Sequence, residues 1–178
     1  VREDIREIQQ KLGVTTIYVT HDQEEALAIS DKVIVMNNAV IAQQGSPKIL
    51  YNHPKNKFVA NFIGDANVVK AEVVNKQSNK YELKLAEMNI NINSEKDLNS
   101  SVSVALRPEK IRIDKNKTEN SIEAKISNAS FVGSSYQYIL NSKIGKLYVV
   151  SGDTKNIFNV DDEVYLTIKK EELKILND

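Results

Sequence analysis

The chain has 178 residues, with 24 Lys and Arg against 24 Asp and Glu, two His, and no Cys or Trp. At 41% apolar and 27% charged it has the composition of a folded globular protein, long enough for one medium domain or two small ones, and not that of a disordered chain. The lack of cysteine excludes disulfides and thiolate metal sites, and the zero net charge argues against a basic nucleic-acid-binding surface.

The opening VREDIREIQQ carries neither Met nor a signal-like region and reads as a piece that starts inside a helix. Ile5, Ile8 and Leu12 fall at helical spacing over 2–12, and Gly13 stops the helix. The β-branched and aromatic run 15–20 predicts a strand covered on both faces, as in a parallel sheet. His21 ends it. Asp22, three residues before Glu25, predicts a capped helix over 22–29. A second apolar strand follows at 33–36, then a turn at Asn37-Asn38 and a short return strand at 40–42. Ser46-Pro47 starts a helix that must end before Pro54, and a further helix at about 55–63 ends at Gly64.

After Gly64 the pattern changes. Short alternating stretches recur at 68–74, 81–85, 90–92, 102–106, 111–113, 122–126, 136–140, 147–150 and 164–168, with polar clusters between them. Many short strands at close spacing predict a small antiparallel barrel. Charge is balanced in each part: seven residues of each sign up to Gly64 and seventeen of each after it.

His21 is the one site candidate of the first part. It stands between an apolar strand and a helix start, where open α/β sheets bind ligands and where free N–H groups can meet a phosphate. Asp22, Glu24 and Glu25 are better read as a cap and as complements to the helix dipole than as a metal cluster, and His53 as a solvent-facing loop residue. No Gly-rich phosphate loop and no H-x-x-x-H pair occurs in the sequence. Gly133-Ser134-Ser135 reads as a turn between strands, and Asp161-Asp162-Glu163 as a turn before the last long strand.

One resemblance carries the reading further. Ile17-Tyr-Val-Thr-His21-Asp-Gln-Glu-Glu-Ala26, then Ser30-Asp31 and Val33-Ile-Val-Met36, resembles the switch-histidine region of ABC transporter ATPases. Gly45-Ser-Pro-Lys-Ile-Leu-Tyr51 and Pro54-Lys-Asn-Lys-Phe-Val-Ala60-Asn-Phe-Ile-Gly64 resemble the importers that carry a C-terminal regulatory TOBE domain. Leu106-Arg-Pro-Glu-Lys-Ile111, Phe131-Val-Gly-Ser-Ser135 and Asp162-Glu-Val164 are similar to that domain. The implied fold class is an α/β fragment of a P-loop ATPase lobe followed by an all-β, OB-like (TOBE) barrel. Residues 1–64 would be the truncated C-terminal part of the ATPase domain, and residues 65–178 the TOBE-type regulatory domain.

By the same resemblance His21 would be the switch histidine that contacts the γ-phosphate. The phosphate loop, the signature and the catalytic Glu would lie upstream, so the chain alone is expected to be inactive and to bind neither ATP nor Mg²⁺, the parent protein's cofactors. The implied partners are a second copy of the subunit and membrane permease subunits, at the cytoplasmic face of the bacterial inner membrane. The implied substrate is a polyamine, iron(III) or a phosphonate, with sugars and sulfate less close. Two departures from regularity stand out. Ala39 occupies a position where the family usually has Gly, and Asn38 is expected to take the left-handed conformation in its place. The strands at 15–20 and 33–36 would also lack sheet neighbours, so the first part should be rearranged, partly disordered or sheltered by another copy. The alternative function is a stand-alone oxyanion-binding module, molybdate-like, with Ser134, Ser135 and Lys146 as its candidates. Arg107 and Glu109 are read as structural.

Overall fold

The computed structural model describes residues 2–176, and its backbone contacts divide at Gly64 into one unit up to that residue and another from Asp65 onward. In the first unit, helix α1 (Arg2–Leu12) ends where Gly13, at φ +64°, donates its N–H to the Gln9 carbonyl at 3.0 Å. The predicted strand at 15–20 is not formed: the segment makes no ladder, and Ile17 and Val19 are 89% and 91% exposed. Strand propensity is local, but a strand exists only when a neighbour takes up its N–H and C=O groups. Among the described residues no strand pairs with this segment. An expectation of cover on both faces is thereby corrected to cover on neither.

Helix α2 (Gln23–Ile29) is capped as predicted, with Asp22 Oδ1 accepting from the Glu25 N–H at 3.1 Å. Strands β1 (Val33–Asn37) and β2 (Val40–Gly45) form an antiparallel hairpin. Its two central residues, Asn38 at φ +49° and Ala39 at φ +62°, are both left-handed. Asn38 therefore does not spare Ala39, because a two-residue hairpin turn that follows the strand twist needs positive φ at both places. Helix α3 (Pro47–Asn52) begins on Pro after Ser46, and helix α4 (Lys57–Phe62) is capped by Asn56 Oδ1, which accepts from the Val59 N–H at 3.0 Å. Val33, Val35, Leu50, Val59 and Ile63 form the unit's small core. Beside them lies Gln43, 4% exposed, which donates to the His53 carbonyl (2.9 Å) and accepts from the Lys55 N–H (2.8 Å). That side-chain amide satisfies the backbone on either side of Pro54, where no regular structure can.

The second unit is all antiparallel. Strands β3 (Asn67–Gln77), β4 (Lys80–Leu85), β5 (Met88–Asn93) and β6 (Ser101–Leu106) join the short β12 (Lys174–Ile175) in the order β12-β6-β3-β4-β5. Strands β7 (Arg112–Asp114), β8 (Ile122–Phe131), β9 (Tyr136–Ser142), β10 (Gly145–Ser151) and β11 (Glu163–Thr167) order as β10-β9-β8-β11-β7. The strands follow the alternating stretches of the sequence, with β12 as an addition too short to show a period. Alternate residues of both sheets face one core, in which Leu83, Val104, Ile122, Tyr138, Leu140 and Leu166 are fully buried. Bulges at Val73/Asn75 in β3 and Ile126/Asn128 in β8 bend the long strands, so two curled half-barrel sheets enclose the core.

One buried polar group ties the sheets together. Asn67, 9% exposed at the start of β3, donates to the carbonyls of Tyr148 (2.7 Å) and Leu106 (3.3 Å) and accepts from the Tyr148 N–H (2.7 Å). It completes β10's backbone pairing from the opposite sheet, as a strand would. Below it Tyr138 stacks on Tyr136 at 5.8 Å and meets Phe158 edge-on at 5.9 Å. Its hydroxyl accepts from the Phe158 N–H, and burial pushes the phenol above its ordinary pKa. Arg107, 6% exposed, precedes the 3-10 turn Pro108–Lys110, where Lys110 reaches Glu172 at 3.2 Å.

Candidate functional site

The first unit's candidate is the turn that presents His21. Glu25, on the first turn of α2, accepts from the Tyr18 hydroxyl (3.1 Å) and the Thr20 hydroxyl (2.9 Å). Thr20 Oγ1 in turn accepts from the Asp22 N–H at 3.0 Å, and Asp22 caps the helix. The residues on both sides of His21 are therefore fixed by side chains of the same short stretch, while His21 itself is exposed. Positioning of this kind lowers the cost of ordering an imidazole before it meets a ligand. The predicted roles of Asp22 and Glu25 were a cap and a dipole complement. The structure adds the clamp on residues 18 and 20, which in the sequence are only Tyr and Thr seven and five positions before a Glu. Such spacings mean nothing until the turn between them is known.

Beside the turn, α1, the segment 14–20, α2 and β1 line an open groove of about 940 Å³. At its rim Arg6 holds Asp31 through both guanidinium nitrogens, at 3.0 and 2.5 Å, and this keeps the Asp31 carboxyl below its usual pKa. Glu24 is exposed, and so is His53, whose carbonyl serves the Gln43 brace.

The second unit's candidates do not converge. Ser134 is exposed and Ser135 half-buried in the β8–β9 turn, where the Val132 N–H donates to the Ser135 carbonyl at 3.0 Å and Gly133 sits at φ +90°. That is the expected turn between strands. Lys146 lies exposed near the other end of the same sheet. In the β9–β10 register Tyr136 faces Ser151, whereas Lys146 faces Asn141, five residues further along, or roughly 16 Å. Among the described residues no three His, Asp or Glu side chains group as a metal site.

Comparison with known proteins adds to this geometry. Residues 104–176, from within β6 through β12, match the TOBE domain family. The whole chain is 36% identical over 183 residues to the Fe(3+) ions import ATP-binding protein FbpC of Fusobacterium nucleatum, covering 48% of it. It is 37% identical over 168 residues to the spermidine/putrescine import ATP-binding protein PotA of Salmonella typhi, covering 91% of this chain and 43% of that protein. Over these residues the chain is similar to the import ATP-binding proteins, and over residues 104–176 to the TOBE domain.

It spans about half the length of the curated relatives it matches, and corresponds to their C-terminal half. A solved structure of the cytoplasmic molybdate-binding protein ModG superposes with a TM-score of 0.51 at 10% identity, over 63% of this chain and 96% of that one. At that identity the likeness concerns the fold alone, and it agrees with an OB-like arrangement of the two curled sheets. Among the described residues, no helix is long and apolar enough to cross a membrane.

Proposed function

We propose that the chain is the C-terminal part of the ATP-hydrolysing subunit of an ABC importer, which drives solute uptake through membrane permease subunits. In this reading residues 1–64 complete a P-loop ATPase lobe, and residues 65–178 form the TOBE regulatory domain. The observation that carries it is the match to two import ATP-binding proteins, over the whole chain for one and over 91% of it for the other, beside a His21 turn braced by its own side chains with the imidazole exposed. An imidazole so placed can donate to a phosphate oxygen or hold a water in line, and this suits contact with the γ-phosphate of ATP. ATP with Mg²⁺ supplies the phosphoryl group and its charge neutralisation; this chain offers His21 to it, and the proposal assigns Mg²⁺ no ligand here. The open groove and the segment 14–20, which joins no sheet, fit a lobe whose neighbouring strands come from outside these residues. The subunit would work as a homodimer at the cytoplasmic face of the membrane, with iron(III) or a polyamine as the transported solute, the substrates named for the two relatives.

The test is ATP hydrolysis by the longer protein that contains this chain. His21→Ala should lower kcat by roughly a hundredfold or more with the protein still folded, as removal of one contact to developing phosphate charge does elsewhere. The 178-residue chain by itself should show no turnover. An unchanged kcat in the His21→Ala protein defeats the assignment. A second reading is oxyanion binding by the β unit, whose fold resembles that of ModG, although Ser134 and Ser135 stand far along the sheet from Lys146. Calorimetry with molybdate, tungstate and sulfate decides: micromolar binding to the 178-residue chain would favour a sensor.

A further inference from the structure

Gln23 is the first residue of α2, two positions after His21, and its side chain does not face the turn's own network. Its Oε1 accepts from the backbone N–H of Gly64 at 2.5 Å, across 41 residues of sequence. Gly64 is the last residue of the first unit and stands at φ +85°; Asp65, the first of the second, stands at φ +47°. The chain thus leaves the first unit through two successive left-handed residues, one of them not glycine, and such a conformation persists only where its surroundings hold it. The N–H of Ile63 is already taken by the Val59 carbonyl as α4 ends, and the next N–H, that of Gly64, is the one Gln23 fixes.

We infer that Gln23 is a positioning residue that couples the His21 turn to the junction between the two units. The turn and the junction share this one side chain: Asp22 and Glu25 set the N-terminal end of α2, and Gln23 carries that end's position to the Gly64 peptide. A displacement of the turn therefore lengthens or breaks the Gly64 hydrogen bond and releases the junction. Use of the coupling to pass the state of a nucleotide-facing His21 toward the regulatory domain rests on the transport-ATPase reading. The coupling itself does not.

The experiment is amide hydrogen exchange on the 178-residue chain, read at Gly64 and at control amides of α3. Gln23→Met keeps the side chain's length and removes the acceptor; it should speed Gly64 exchange by roughly threefold to tenfold, the range expected for one lost hydrogen bond, and leave α3 unchanged. Gln23→Glu keeps an acceptor oxygen and should stay within about twofold of the parent. Asp22→Ala, which loosens the turn, should speed Gly64 exchange in the parent chain but add nothing in the Gln23→Met chain. Unchanged Gly64 exchange in Gln23→Met, Glu behaving as Met does, or an equal Asp22→Ala effect in both backgrounds would each overturn the proposal. Gln23→Ala serves as the second acceptor-free variant should Met disturb the fold. None of these readings involves ATP, so failure of the ATPase assignment would show only in the His21 experiment, and failure of the coupling only here.

Discussion

In the β unit Ile122, Val164 and Leu166 lie at 0% exposure between two sheets, while in the helical unit Ile17 and Val19 stand about nine-tenths in solvent. Both segments have the same kind of sequence, β-branched and apolar. The difference is who supplies the neighbours. The described strands of the β unit pair with one another, and the inward-facing apolar side chains of the two sheets meet in one core. Among the described residues the helical unit has a two-stranded hairpin as its sheet and a packed cluster of five buried residues, and it leaves α1's Ile8 and Leu12 more than half exposed. Apolar composition becomes stability only where the chain can cover it.

The largest expected effect tests that contrast directly. Leu166→Ala empties a fully buried site and should cost about 2–5 kcal/mol, while Ile17→Ala should change stability by less than about 0.5 kcal/mol. Urea denaturation, with hydrogen exchange to assign each transition to a unit, measures both. A cost above about 1 kcal/mol at Ile17 would show that the segment 14–20 is covered in solution and would break the comparison.

A smaller difference separates the two buried amides. Asn67 serves three backbone groups and Gln43 two, and removal of either side chain takes those partners away, at a more buried place for Asn67 than for Gln43, whose partners His53 and Lys55 are exposed residues. Asn67→Ala should therefore destabilise the β unit by about 2–3 kcal/mol, and Gln43→Ala the helical unit by about 1–2 kcal/mol. Equal costs would mean that the bond from Asn67 to the Leu106 carbonyl, the longest of the set at 3.3 Å, contributes nothing.

These amides also mark where the sequence stops being legible. Alternation located the strands of the β unit because its signal is a period of two written in the strand itself. Capping chemistry located α2 because Asp22 and Glu25 are neighbours. The pairing of 15–20 is not in those residues, and reading its composition as a covered strand attributed to the segment a partner that it must be given. Asn67, Gln43 and Gln23 were invisible for the same reason. An amide side chain in a strand or at a helix start looks like surface until the fold brings a backbone carbonyl 81 or 10 residues distant, or a backbone N–H 41 residues distant, against it. His21 was legible as a candidate from its place between an apolar run and a helix start, and its exposure on a braced turn is what the structure adds. Ser134, Ser135 and Lys146 were grouped by chemistry alone, and the register of β9 with β10 puts them apart.

The smallest effect concerns the hairpin of the helical unit. Ala39 at φ +62° carries a left-handed cost of roughly 1–2 kcal/mol that Asn38, with its short polar side chain, partly escapes. Glycine removes that cost but loses about 0.5–1 kcal/mol through the extra freedom of its unfolded chain. The two terms leave Ala39→Gly stabilising by about 0.5 kcal/mol, and Asn-Gly is the pair this turn geometry prefers. Ala39→Val isolates the first term, because a β-branched side chain meets the left-handed penalty in full and should destabilise the hairpin by about 1 kcal/mol or more. The effect should appear in the exchange of β1 and β2 amides and not in those of β3 to β12, since the turn's strain is borne by the unit that contains it. A rise in stability that spread to the β strands would show that the two units unfold together, and the contrast between them would then be one of packing without being one of cooperativity.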